Sequence, residues 1–228
     1  MLTYSFRLPP GPNTVAYAMA AEQLGYERVW CPEVPAFGHD IWITLARIAE
    51  QTSRIGIGAA VLIPSYRHPM AQASAIATIE ALAPGRLWAG FGTGFTGRYA
   101  MGLPALSLAS MRQHIVQVRS LLRGEVVEID GGMAQILASA DWLPDRPINV
   151  PLLMASQGPK GRELAREVAD GLIALGAPAA GFDRCLVSLN GTVLDEGEEV
   201  TSNRARAALA PLVALAYHFR YSSDPESV

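Results

Sequence analysis

The sequence predicts an α/β fold built on one parallel sheet. Helical and strand patterns alternate along the chain, and the breaks between them fall at glycine and proline. The run from Ile55 to Ile63 is apolar almost throughout, as in a strand covered by helices on both faces; a half-exposed strand would alternate apolar and polar residues. At 228 residues, half of them hydrophobic, the chain can bury one large core and is read as a single domain over 1–228, with an excursion at about 125–149. Two architectures satisfy the pattern: an open doubly wound sheet and a (β/α)8 barrel. About seven strands can be counted, whereas a complete barrel takes about 250 residues. The last unit is therefore expected to be short or missing, either naturally or because the sequence is a truncated copy.

The elements run in order. "NTVAYAMAAEQLG" offers Asn13 as an N-cap, good helix formers, and Gly25 as a stop. "ERVWCPE" is a short strand. Asp40 caps "IWITLARIAEQT", in which Ile41, Leu45, Ile48 and Ala49 share one face. After the apolar third strand, "HPMAQASAIATIEALAPG" places Pro69 at a first helical position and ends at Pro84-Gly85. "RLWAGFG" is the fourth strand, and a helix from about Ser110 to Leu122 closes on Gly124. In the excursion, Asp130-Gly131-Gly132 marks a hairpin turn. A strand at about Val150 to Ala155, the helix "PKGRELAREVA", the strand "GLIAL" and a helix from about Phe182 to Glu196 come next, then "RARAALA". "PLVALAYHFR" opens the last helix.

Composition narrows the function. A net charge of −3 supplies no basic field for a polyanion, which argues against nucleic acid and anionic membrane as partners and for a small-molecule substrate. Cys31 and Cys185 lack C-x-x-C spacing and read as reduced, packed thiols. No apolar run reaches the roughly 18 residues of a membrane helix, and the N-terminus lacks a signal pattern. A cytoplasmic location is expected.

"AGFGTGFTGR" contains G-x-G-x-x-G at Gly92, Gly94 and Gly97. A dinucleotide turn lies after the first strand of its domain, opens directly into a helix, and meets an acid about 20 residues on. Here the glycines come after the fourth strand, Gly102 and Pro104 interrupt the next segment, and the first downstream acid is Glu125. The NAD reading is therefore disfavoured, and the absence of Gly-Lys-Ser/Thr excludes a Walker A loop. Two readings remain on the residues alone: a tight turn without a ligand, and close backbone approach to a flat or phosphorylated one.

The blocks "EQLGYERVWCPE", "TSRIGIGAAVLIPSYRHPMAQASAIATIEALAPGRLWAGFGTGFTGR", "VRSLLRGEVVEIDG" and "VPLLMASQGPKGRELAREVADGLI" resemble, in order, those of the luciferase-like monooxygenase family, over roughly residues 14 to 176. The resemblance implies a (β/α)8 barrel, here shortened at the C-terminus, and a site for coenzyme F-420 or FMN. It also implies a bulge in the third strand behind the coenzyme ring, often with a non-proline cis peptide, at Ala60-Val61. Thr93 and Gly94 match the segment lying along the coenzyme, where a threonine hydroxyl suits a ring carbonyl or a ribityl hydroxyl. Ser156, Gln157 and Gly158 match the turn whose N–H groups, at a helix N-terminus, favour the coenzyme phosphate. Lys160 adds charge there or simply faces solvent. "GTG" and "SQGPKG" favour the deazaflavin branch.

Catalytic groups are less determined. "CPEVPAFGHD" places Glu33, His39 and Asp40 at the expected mouth, and His39, the residue type most used for proton transfer at neutral pH, is the candidate general acid or base, with a plain loop histidine as its alternative. Asp40 reads as an N-cap and His68 as structural. Related sugar-phosphate dehydrogenases carry a histidine directly after the acid and a glutamate after the Thr-Gly pair; this chain has Val34 and Phe95 in those places. That departure points to an apolar substrate. No H-x-x-x-H spacing occurs, so no metal is expected. The expectation is an F-420- or FMN-dependent oxidoreductase or monooxygenase, possible as a homodimer. The alternatives are a non-catalytic flavin- or deazaflavin-binding protein with an incomplete barrel and, below it, an aldolase or isomerase holding a substrate phosphate.

Overall fold

A computed structural model describes residues 2–139 and 141–223. Two compact units divide the chain, one up to Val187 and one from Ser188 onward. The first holds β1 (Ser5–Arg7), α1 (Thr14–Gln23), β2 (Arg28–Cys31), α2 (Ile41–Gln51), β3 (Gly56–Leu62), α3 (Pro69–Leu82) and β4 (Leu87–Phe91). It continues with α4 (Phe95–Tyr99), α5 (Leu108–Arg123), the hairpin β5 (Val127–Ile129) and β6 (Gly132–Ala134), β7 (Leu152–Ala155), α6 (Pro159–Val168) and β8 (Gly171–Leu175). The strand β9 (Cys185–Ser188) closes it, and α7 (Asn203–Ser223) lies in the second unit.

The main sheet runs β1-β2-β3-β4-β7-β8-β9. Each strand is added on the same side as its predecessor, with parallel pairing from β1 through β8. A doubly wound sheet reverses its order at a switch point. This sheet has no reversal, which excludes the open doubly wound alternative and leaves barrel-type winding. Seven strands pair in this order, and among the described residues no pairing joins β9 back to β1.

Sequence chemistry accounts for the element ends. Asp40 accepts from Trp42 N and Ile43 N at the start of α2, and Pro69 occupies the first turn of α3. On α2, Ile41, Leu45 and Ile48 are almost completely buried with Ile57 of β3 and Ile76 of α3. Each such side chain contributes roughly 1.5–3 kcal/mol over its exposed state. Asp130 and Gly131, both at positive φ, make the primed turn that joins β5 to β6.

Three expectations are corrected. Asn13 precedes α1 but makes no side-chain cap; Thr14 does the local work, its hydroxyl accepting from Gly11 N and donating to Pro9 O. No helix spans 182–196: Cys185–Ser188 is a strand, and Asn190-Gly191 and Gly197 break up the segment after it. "RARAALA" and "PLVALAYHFR" are one helix, α7, with Pro211 inside it. Ser202 caps α7 by accepting from Ala205 N at 3.0 Å.

Candidate functional site

The peptide between Ala60 and Val61 is cis, and the register of β3 against β4 slips between Ala60 and Leu62. The bulge implied by the resemblance is present. Glu33, two residues past β2, grips it from both sides. Its N–H donates to Val61 O at 3.3 Å, and its Oε2 accepts from Ile63 N at 2.8 Å. The carboxyl group is only 4% exposed. Burial raises its pKa to about 7, against the lowering effects of the Ile63 N–H and of Arg67. Arg67 ties this brace to the next loop, with Nη2 2.5 Å from Asp40 Oδ2 and Nε 3.8 Å from Glu33 Oε1.

The glycine-rich turn after β4 lies directly against the bulge. Gly92 N donates to Leu62 O at 3.0 Å, and a Cβ at Gly92 would stand 2.5 Å from Val61 Cγ2. Gly94 has φ +79°, which disfavours any side chain, and a Cβ there would meet Ile63 Cγ2 at 2.7 Å. Two glycines are thus needed to seat one strand end on the other. Thr93 is half-buried between them, its carbonyl accepting from Leu106 N at 2.8 Å. Arg98 is committed structurally, donating from Nη1 to Ser65 Oγ and from Nε to Pro104 O, each at 2.6 Å. Phe95 and Tyr99 stack with ring centroids 6.1 Å apart.

Next to β4, β7 delivers the third turn. Gly158 is the N-cap of α6, Pro159 occupies its first turn, and no acid sits there to repel an anion. The Ser156 N–H is spent on Ile173 O at 3.2 Å, so of the three expected donors only Gln157 and Gly158 lack a protein acceptor among the described residues. Gly161 packs so close to Ser156 Oγ that a side chain there would displace it. Lys160 is exposed.

Ala60, Val61 and the Gly92–Gly94 turn are therefore in contact, and the turn at 156–158 comes at the end of the adjacent strand. His39 stands apart: it is exposed on the β2–α2 loop, with its N–H on Pro10 O at 3.2 Å. His68 caps α3 through Nδ1 and reaches Asp130 with Nε2 at 3.5 Å. His114 is buried against the Phe91 ring, and burial, aided by His68, pushes its pKa down to about 4. Among the described residues no three His, Cys, Asp or Glu side chains gather as metal ligands. Sequence reasoning placed Glu33 at the mouth without a role. The missed signal is a charged residue directly after the apolar "VWCP", where a buried carboxyl group needs polar partners.

The chain is 33% identical over 159 residues to the 5,10-methylenetetrahydromethanopterin reductase of Methanolobus tindarius, covering 69% of this chain and 48% of that protein. It is 36% identical over 177 residues to an F-420-dependent glucose-6-phosphate dehydrogenase of Beutenbergia cavernae, covering 71% and 52%. The chain thus spans about half the length of these relatives. Among solved structures, the fold is similar to a monooxygenase of Streptomyces bottropensis, with a TM-score of 0.69 at 22% identity, covering 93% of this chain and 80% of that one. It is also similar to the F-420-dependent tetrahydromethanopterin reductase of Methanopyrus kandleri, with a TM-score of 0.63 at 24% identity, covering 75% and 55%. The luciferase-like monooxygenase description matches residues 4–213, and the chain belongs to that family.

Proposed function

We propose that this chain is an oxidoreductase that binds F-420 or FMN at the C-terminal ends of β3, β4 and β7 and acts on an apolar small molecule. The observation that carries the reading is the cis bulge at Ala60-Val61 packed against the Gly92–Gly94 turn, with an acid-free helix start at the end of the adjacent strand. In this reading Ala60 and Val61 back the ring, and Thr93 and Gly94 lie along it. Gln157, Gly158 and the start of α6, with Ser156 shaping the turn, receive the phosphate. When bound, the coenzyme supplies the hydride or oxygen chemistry, and the protein orients the reactants and excludes water. F-420 is favoured over FMN, because a relative 36% identical to the chain bears an F-420-dependent name.

Val34 and Phe95 leave no acid-base pair of the sugar-phosphate kind, and Phe95 with Tyr99 gives the mouth an apolar wall. His39 remains the candidate for proton transfer. The (β/α)8 barrel, the single-domain reading of 1–228, the cytoplasmic location and a homodimer belong to the same proposal. Separate titrations with F-420 and FMN, followed by fluorescence quenching, test it. Saturable binding of one coenzyme supports it. Binding without turnover of any hydride donor or acceptor favours the non-catalytic reading, and binding of neither overturns both.

A further inference from the structure

At the opposite end of the strands the sheet buries a cation that no ion pair holds among the described residues. Arg28, the first residue of β2, is 6% exposed. Its guanidinium lies flat on Gly56, where a Cβ would stand 2.4 Å from Cζ, and 4.3 Å from the centroid of the Trp88 ring. Nη1 donates to Ile57 O at 3.0 Å and to Arg86 O. Nε and Nη2 have no protein acceptor among the described residues, and no carboxylate stands within 4.0 Å as an ion-pair partner.

Arg86 likewise makes no ion pair among the described residues, its donors going to Ala49 O, Thr52 Oγ1 and Ile55 O. These two arginines and Arg54 line a cavity of about 330 Å³, with Glu22, Glu27 and Tyr26. That volume lies at the lower end of small-molecule sites, roughly 300–1,000 Å³. The two acids offset the three arginines only in part, and from beyond ion-pair distance. Glu22 Oε1 is occupied by the N–H groups of Ser53, Arg54 and Ile55 at 2.9, 2.7 and 2.9 Å, and Glu27 is exposed. A buried charge left unpaired is costly, so a fold that fixes one between a glycine and an indole is organised to receive an anion.

We propose that this floor cavity binds a small phosphate- or carboxylate-bearing metabolite, with Arg28 as the buried anchor and Arg54 and Arg86 at its rim. This site is separate from the coenzyme site at the other end of the strands and does not depend on it.

The test titrates inorganic phosphate into the chain, with ionic strength held constant by sodium chloride, and reads thermal unfolding and binding heat. The expected result is a saturable rise in Tm that Arg54→Ala weakens at least about tenfold, since a charge-assisted hydrogen bond is lost. Arg28→Met abolishes the response, and Lys160→Ala, at the coenzyme end, keeps it. Should Arg28→Met not fold, the exposed Arg54 decides the matter alone. Absence of a saturable response overturns the proposal, as does a response that Lys160→Ala loses and Arg54→Ala retains.

Discussion

Replacing Glu33 by glutamine tests the brace on the β3 bulge. Glutamine keeps the acceptor for the Ile63 N–H at 2.8 Å but cannot ionise. In the folded protein the carboxyl titrates at about 7, above its ordinary value of 4.5, because burial disfavours the charge. The folded state therefore binds the proton more tightly than the unfolded one between those values, and this group lowers stability as pH rises through them. Below 4.5 it costs nothing, and above 7 the cost is complete. At roughly 1.4 kcal/mol per pH unit, that interval is worth about 3 kcal/mol. Chemical denaturation of wild type and Glu33→Gln at pH 5, 6, 7 and 8, without coenzyme, gives the comparison. The stability of the variant relative to wild type should climb by about 2.5 kcal/mol from pH 5 to pH 8, the part of that interval the series spans. Parallel profiles would refute the reasoning, since they would mean that Glu33 ionises as an exposed carboxylate does. Other titrating groups are common to both proteins and cancel in the difference.

His114 acts with the opposite sign. Its pKa falls from 6.5 to about 4, so its contribution is present above 6.5 and lost as pH drops toward 4. His114→Leu should flatten that part of the acid limb, as acid denaturation followed by circular dichroism would show. Gly92→Ala drives a methyl to within 2.5 Å of Val61 Cγ2 and should cost about 1–3 kcal/mol through overpacking. Calorimetric titration should also show its coenzyme affinity weakened by at least about tenfold, and unchanged affinity would separate the turn from the site. Asp40→Ala removes the cap of α2 and the Arg67 contact, and should lower stability by about 0.5–2 kcal/mol in urea unfolding.

Local chemistry was legible where one residue decides it. Asp40, Pro69, Gly124 and Asp130-Gly131 each end or turn an element by side-chain or φ preference, and each does so in the structure. The segment at 182–196 was misread because "FDRCLVSLN" has an apolar spacing that suits either a helix or a strand, and pairing beside β8 resolves it as strand. At the site, the glycines at 92 and 94 announced close packing but not the partner. That partner is Val61, some 30 residues earlier in the chain and brought there by parallel pairing. The roles of Glu33 and Arg28 were invisible for the same reason: each depends on backbone groups of a neighbouring strand, and local periodicity carries no information about them.

A crystal structure of the chain with F-420, and one with FMN, would test the central claim most directly. The account predicts one coenzyme with its ring in van der Waals contact with Ala60 and Val61 and its phosphate at the start of α6. A coenzyme bound elsewhere, or a site that stays empty at saturating concentrations of both, would contradict it.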